Sequence, residues 1–168
     1  FVLALSGWSE NDWTGGAAGD NASTGIWVRV DPNGIVDGSW GQVVPEDDHT
    51  AAGTVCWITG QDPVGSSQGA VDVDGGTTTL TSPVYSVAGF SSLETRYWRW
   101  YTNDTGFGAG QDSWVVQASF DGGNWFDLEN TMASQRAWTE KVFQLESLAP
   151  ALGSQLQIRF VASDVGTG

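Results

Sequence analysis

The fold class is decided by the run Trp114-Val-Val-Gln-Ala-Ser-Phe120, followed by Asp121-Gly-Gly-Asn124 and Trp125-Phe-Asp-Leu128. Apolar side chains occupy every second position of the first run, so an extended strand would have one apolar face and one polar face. Asp-Gly-Gly-Asn between two such runs is typical of a tight hairpin, because glycine readily adopts positive φ angles. The segment therefore predicts two antiparallel strands joined by a short turn.

The same short, β-prone pattern recurs along the chain, and no helical periodicity competes with it. The expected strands are Gly25 to Val30, Thr54 to Ile58, Thr77 to Thr81, Leu93 to Tyr101, Trp114 to Phe120, Glu140 to Leu145 and Gln155 to Ala162. Seven or eight such strands predict an all-β fold, an antiparallel two-sheet β-sandwich with jelly-roll topology. A helix is expected only near Leu145 to Leu152, where Pro150 weakens it. Residues 1–168 are expected to form a single domain.

The charge balance is strongly acidic, with 20 Asp and Glu against six Lys and Arg and a formal net charge of -14. Such a field repels phosphate backbones, so nucleic-acid binding is disfavoured. It suits divalent cations or a cationic partner, and it is also typical of a well-solvated secreted surface. Phe1 to Ser6 is apolar but far too short to span a bilayer, so we expect no membrane insertion. The single Cys56 excludes an intrachain disulfide framework.

Two carboxylate-rich turns flank the expected strand Thr54 to Ile58. They are Pro45-Glu-Asp-Asp-His-Thr50 and Asp72-Val-Asp-Gly75. Ca²⁺ takes six to eight oxygen ligands in flexible geometry, so these turns predict a calcium site. Its candidate ligands are Asp47, Asp48, Asp72 and Asp74. The alternative is turn chemistry, in which each Asp bonds its own backbone. The single histidine beside these acids is expected to be structural rather than a general base.

An aromatic strand offers a candidate ligand platform. In Glu94-Thr-Arg-Tyr-Trp-Arg-Trp-Tyr101 both faces of the strand are bulky. One face must be core, and the other would form a platform for stacking or for binding a carboxylate. The candidate ligand-binding residues are Trp98, Arg99, Trp100 and Tyr101. The alternative is that loops cover both faces, in which case these side chains fill the interior.

Several phrases together carry a family resemblance. They are Thr24-Gly-Ile-Trp-Val-Arg-Val-Asp-Pro32, Pro45 to Thr50, Asp72 to Pro83, Tyr97-Trp-Arg-Trp-Tyr101, Phe120-Asp-Gly-Gly-Asn-Trp125 and Ile158-Arg-Phe-Val-Ala-Ser-Asp164. Together they resemble a jelly-roll accessory domain of large secreted bacterial proteins, often attached to metallopeptidases or sorted surface proteins. The resemblance implies a β-sandwich akin to MAM domains and carbohydrate-binding modules, with a structural calcium. Relatives continue into a further acidic strand, whereas this sequence ends at Gly168, so we expect a domain without that final C-terminal strand or one completed by a neighbouring molecule.

These observations predict a non-catalytic, extracellular or cell-surface module within a larger secreted protein. It would be stabilised by Ca²⁺ and would bind carbohydrate or another surface component, such as a surface protein. The alternative is a structural subunit that self-associates through edge strands or strand donation. An enzyme is disfavoured, because adjacent Asp47 and Asp48 point apart rather than flanking a sugar, and no phosphate loop or nucleophile elbow is present.

Overall fold

Antiparallel β-strands are the main regular structure of the chain in a computed structural model, which describes residues 12–106, 108–149 and 151–164 together with the backbone of 2–4. The described part contains thirteen strands and one short 3₁₀ helix, Leu145–Ser147. The strands are β1 Val2–Ala4, β2 Thr14–Gly15, β3 Trp27–Val30, β4 Ile35–Asp37, β5 Gly41–Val44, β6 Cys56–Thr59, β7 Thr77–Thr81, β8 Tyr85–Ser86, β9 Glu94–Tyr101, β10 Ser113–Ser119, β11 Phe126–Thr131, β12 Gln135–Gln144 and β13 Gln155–Ser163.

The strands form two main antiparallel sheets and one separate hairpin. Sheet I has the order β12-β9-β1-β6-β3. Sheet II has the order β11-β10-β13-β7-β2, and β8 pairs with β13. The hairpin β4–β5 pairs only within itself among the described strands. The all-β class with antiparallel sheets predicted from the sequence is thus confirmed. No helix in the described part of the chain has the length and apolar character needed to span a bilayer.

Alternating burial explains why β10 and β13 lie at the centre of sheet II. Trp114, Val116 and Ala118 of β10 are fully buried, while the intervening Val115 and Gln117 are half-buried. In β13 the same alternation buries four apolar side chains: Leu156, Ile158, Phe160 and Ala162. The two strands pair in register from Ser113 opposite Ser163 to Ser119 opposite Gln157. This face of sheet II forms one wall of the hydrophobic core, as the sequence predicted.

The turn between β10 and β11 is the predicted hairpin. Asp121 Oδ1 accepts hydrogen bonds from the amides of Asn124 (2.7 Å) and Gly123 (2.9 Å). These bonds, the Asn124 amide first, hold the pKa of the Asp121 carboxyl below its usual range. Gly122 has φ 75°, a conformation that most other residues adopt only with strain. Side-chain capping and one permissive glycine therefore fix the turn.

Aromatic contacts join the two sheets across a shared core. Trp27 of sheet I meets Trp114 of sheet II edge-on, with ring centroids 6.1 Å apart. Tyr97 of β9 contacts Phe160 of β13 in the same manner at 5.0 Å. Such edge-to-face pairs add to the stabilisation that the buried apolar area supplies. The other described members of this cluster include Trp13, Leu80, Tyr101, Leu128 and Leu145.

Several strand boundaries differ from the predicted ones. The expected strand Glu140 to Leu145 begins five residues earlier, at Gln135 in β12. The short strands β2, β4, β5 and β8 were not predicted, because two to four residues carry too little alternation to be recognised. In the region of the expected helix Leu145 to Leu152, only the 3₁₀ turn Leu145–Ser147 forms, and Pro150 lies outside the described residues.

A buried ionic cluster also links the sheets. Glu129 of β11 accepts hydrogen bonds from Tyr97 Oη (2.6 Å) and from Arg99 Nη2 (3.0 Å), and Lys141 Nζ lies 3.0 Å from the same carboxylate. The Arg99 side chain is 3% exposed and that of Glu129 10%. Burial and the neighbouring Glu129 charge raise the pKa of the Tyr97 hydroxyl well above its usual value, so it stays a donor. Removing Glu129 would leave buried positive charge without a counter-charge.

We expect Glu129→Gln to lower the free energy of unfolding by about 3 kcal/mol, because removing one member of a buried ion pair leaves the charge of its partner buried and uncompensated. Denaturant unfolding followed by tryptophan fluorescence measures this loss. Glu140→Gln is the matched control, since Glu140 pairs with the half-exposed Arg96 at the surface. Equal effects of the two substitutions would contradict the role assigned to Glu129.

Candidate functional site

A cavity of about 540 Å³ opens at one end of sheet I. The end of β6, the base of the β4–β5 hairpin and two loops, 60–76 and 102–112, form its walls. The lining side chains that matter here are Asn33, Val43, Ile58, Asp62, Gln68, Asp72, Asp74, Trp100, Thr102, Asn103 and Asp112. The cavity thus combines apolar surface with amide and carboxylate groups, which is the usual composition of a small-molecule site.

Two glycines allow the 60–76 loop to lie close against the strands. A Cβ at Gly25 would overlap the backbone of Val73, and a Cβ at Gly60 would overlap the carbonyl oxygen of Val71. Both glycines also have positive φ angles, 67° and 72°. Thr24 Oγ1 donates to the Asp72 carbonyl (2.8 Å), which fixes the loop further. These contacts place Asp72 on the cavity wall.

Asn103 organises the opposite wall. Its side chain is buried, and Nδ2 donates to the carbonyls of Asp112 (2.9 Å) and Met132 (2.8 Å). Asn103 Oδ1 accepts from the Asp112 amide (3.3 Å), and Tyr101 Oη donates to the Asp112 carbonyl (2.7 Å). Three hydrogen bonds therefore hold the backbone of Asp112 and fix its position beside the cavity.

Three carboxylates from separate parts of the chain meet at this end of the molecule: Asp72, Asp112 and Asp164, which we call the acidic cluster. Burial, and then the nearby Asp74 charge, raises the pKa of Asp72 to about 6. Burial and the Asp164 carboxylate raise the pKa of Asp112 to about 6 as well. Asp164 Oδ2 also accepts from the Gly75 amide (3.0 Å). Crowded, partly buried carboxylates create a strong preference for a cation or a proton.

The four predicted metal ligands are not all brought together. Asp72 and Asp74 lie near each other on the cavity wall. Asp48 belongs to a separate turn, where its Oδ1 accepts from the amide (2.6 Å) and hydroxyl (2.8 Å) of Thr50. Asp47 lies in the same segment as His49, whose ring stacks on Trp98 at 4.1 Å. For Asp48 the structure shows the turn chemistry that the sequence left open as the alternative. Across the described ranges, no group of three or more His, Cys, Asp and Glu side chains is arranged to hold a metal ion.

The predicted ligand platform on β9 is occupied by the protein itself. Arg99 (3% exposed) and Tyr101 (0% exposed) point into the core, so neither offers a surface to a ligand. Trp98 lies under the ring of His49. Trp100 is 8% exposed and donates from Nε1 to the Val43 carbonyl (3.1 Å), beneath the β4–β5 hairpin. Of the four, Trp100 is the one that lines the cavity.

Sequence reasoning missed Asp112, Asp164 and Asn103. Strand register contains the signal, because Ser113 of β10 pairs with Ser163 of β13 and thereby places residues 112 and 164 side by side. That pairing requires knowing which strands are neighbours, which a single sequence does not supply.

No family model matches the chain, and no curated protein is significantly similar to it. The jelly-roll resemblance therefore remains an expectation. The cavity and the acidic cluster are the features from which we infer a function.

The raised pKa of Asp112 predicts a pH dependence of stability. Its folded-state pKa of about 6 exceeds its usual 3.8, so the folded protein binds more protons between these values than the unfolded chain. In EDTA, the wild type should therefore lose stability relative to Asp112→Asn as the pH rises from about 4 to about 7. Denaturant unfolding of both proteins at a series of pH values measures this difference. If the difference in the free energy of unfolding between the two proteins did not change with pH, the raised pKa of Asp112 would be contradicted.

Proposed function

We propose that this chain is a β-sandwich of jelly-roll type that acts as a non-catalytic, calcium-stabilised binding module. The connections between strands support the topology. The chain crosses from sheet I to sheet II between β6 and β7 and again between β9 and β10, and it returns from β11 to β12. Repeated crossing between two antiparallel sheets is typical of Greek-key and jelly-roll folds. We place the module on the extracellular side of the cell, secreted or at the cell surface, as part of a larger protein.

The observation that carries the binding function is the cavity. Planar amides and carboxylates, such as Asn33, Gln68 and Asp62, offer paired donors and acceptors that match the hydroxyl groups of a sugar. Gln68 Oε1 and Asp62 Oδ1 are buried without a hydrogen-bond partner. Because these two atoms are shielded from the cavity, the preference for a polar occupant comes from the other amide and carboxylate atoms of the lining. Carbohydrate is therefore the ligand class that we favour over a surface protein.

We further propose that Ca²⁺ binds at the acidic cluster rather than at Asp47 and Asp48. Asp72, Asp112 and Asp164 would hold it, with Asp74 close by, after moving closer together, because among the described residues no three such side chains are already arranged as a metal site. The donor set fits a hard cation, because every side-chain group is a carboxylate. A bound Ca²⁺ would relieve the repulsion among these crowded carboxylates. The 60–76 loop, the 102–112 loop and the end of β13 would then be tied together at one point.

Calcium should raise the melting temperature of the wild-type chain relative to EDTA. At a hundredfold excess over Kd, an ion that binds only the folded state contributes about 2.7 kcal/mol, or roughly 5–10 °C for a domain of this size. Asp112→Asn should abolish the shift, whereas Asp47→Asn should keep it. If Asp47→Asn lost the calcium-dependent shift and Asp112→Asn kept it, the calcium site would instead lie in the turn that contains Asp47 and Asp48.

The alternative function, a structural subunit that self-associates, has one specific observation in its favour. Strand β12 spans ten residues and ends the strand order of sheet I, where it pairs with β9. A long edge strand is a template for pairing with another chain. Light scattering on the same calcium and EDTA samples distinguishes the two functions. A monomer at every concentration would exclude assembly through this edge.

Calorimetric titration with neutral oligosaccharides of glucose, mannose, xylose and N-acetylglucosamine tests the binding function. We expect one class to bind in calcium, and we expect Gln68→Ala to weaken it by about tenfold, the effect of losing one or two hydrogen bonds. Asp127→Asn, on the outer face of sheet II, is the control. Chromatography of the ligand after incubation checks for cleavage, because a carboxyl with a raised pKa also suits a general acid. Cleavage would show that the protein is an enzyme and not a binding module.

A further inference from the structure

Asn33 and Gly34 form the one Asn-Gly pair in the sequence, and they lie in the connection between β3 and β4. Every other asparagine is followed by a residue that has a side chain. An asparagine can lose its amide group when the backbone nitrogen of the next residue attacks the side-chain amide carbon. Glycine hinders that attack least, because it has no Cβ. The sequence therefore singles out Asn33 as the asparagine most open to this reaction.

The fold keeps glycine at position 34. A Cβ there would lie 2.7 Å from Glu46 Oε2 and 3.0 Å from Glu46 Cα, so a larger residue would displace Glu46. In the part of the chain that the structure describes, the Gly34 amide donates no hydrogen bond. The attacking nitrogen is therefore unhindered, and no other bond holds it away from the Asn33 side chain.

Asn33 joins this connection to the 60–76 loop. Its Nδ2 donates to the Asp62 carbonyl (2.8 Å), and Gln61 Nε2 donates to the Asp31 carbonyl (2.7 Å). Asn33 and Asp62 both line the cavity. The Asn33 amide thus helps to hold the start of the loop in the cavity wall.

The reaction at this pair needs only water. The Gly34 backbone nitrogen forms a bond to Asn33 Cγ, the Cγ–Nδ2 bond breaks, and Nδ2 leaves as ammonia with the proton from the Gly34 amide. Water then opens the resulting five-membered imide. Opening at Cγ gives aspartate, whereas opening at the main-chain carbonyl gives isoaspartate, whose main chain runs through Cβ. Either product replaces the Nδ2 donor with a carboxylate that only accepts hydrogen bonds.

We propose that Asn33 is a site of spontaneous deamidation and that its conversion frees the 60–76 loop from the connection between β3 and β4. The new carboxylate faces the Asp62 carbonyl oxygen, so two acceptors repel each other where a donor and an acceptor were bonded. Isoaspartate also lengthens the main chain by one bond, which shifts Gly34 relative to Glu46. The modified protein therefore has a loosened cavity wall, whichever ligand the cavity takes.

The test incubates the full chain in warm, mildly alkaline H₂¹⁸O, digests it with trypsin in ordinary water and measures the peptide masses. Trypsin cuts after Arg29 and Arg96, and Asn33 is the one asparagine between these cuts. We expect this peptide to gain ¹⁸O and to separate into aspartate and isoaspartate forms. Peptides that contain the other asparagines should convert about tenfold more slowly, since a bulkier neighbour raises the barrier. An unconverted 30–96 peptide, from a chain that does convert Asn33 once unfolded in urea, would overturn the proposal.

Hydrogen exchange measures the structural consequence. Amides of residues 60–76 should exchange about fivefold faster in the converted protein, the effect of losing one hydrogen bond. Asn33→Asp should show this faster exchange without incubation. Asn33→Gln keeps an amide and should resist conversion, because the same attack would have to close a six-membered ring.

Asn130→Asp is the matched control for the change of amide to carboxylate. Asn130 bonds Asp127 on β11 and does not line the cavity, so this variant should leave the exchange of residues 60–76 unchanged. If Asn33 converts but the loop exchanges as it does in the fresh protein, or if Asn33→Asp exchanges like the wild type, the proposed release of the loop is wrong.

Discussion

The close approach of residues 71–73 to Gly25 and Gly60 is the constraint on which the candidate site depends. A side chain at either glycine would collide with this backbone, and both glycines adopt φ angles that other residues tolerate poorly. The loop can therefore lie flat against the strands and direct Asp72 toward Asp112. Without this approach the two acidic loops would be separate, and the cavity between them would lose one wall.

The chain has only six Lys and Arg residues, and three of the arginines connect separate elements of the fold. Arg99 joins the two sheets through Glu129. Arg136 joins the β4–β5 hairpin to the 102–112 loop, and Arg159 stacks on Trp125 at 4.1 Å beside the β10–β11 turn. A guanidinium serves this purpose well, because its donors are fixed in a plane and can bond two partners at once.

The sequence predicted the elements that depend on local pattern and missed those that depend on register. The alternation in β10 and β13 and the Asp-Gly-Gly-Asn turn are properties of neighbouring residues, so they could be recognised directly. The acidic cluster joins residues 72, 112 and 164, which become neighbours only after the strands pair. The cover over the aromatic strand was missed for a related reason: the short strands β4 and β5, too brief to predict, lie over the outer face of Trp100.

The acidic cluster and the cavity share Asp72 and Asp112, so cation binding and ligand binding are linked. If Ca²⁺ orders the two loops, a ligand that contacts both loops binds without losing further conformational entropy to order them. Reciprocity then requires that the ligand raise the affinity for Ca²⁺ by the same factor that Ca²⁺ raises the affinity for the ligand. A cationic ligand would instead compete with the ion for the same carboxylates and lower its affinity. The sign of this linkage, read from calcium titrations with and without glycan, therefore distinguishes a neutral sugar from a cationic occupant.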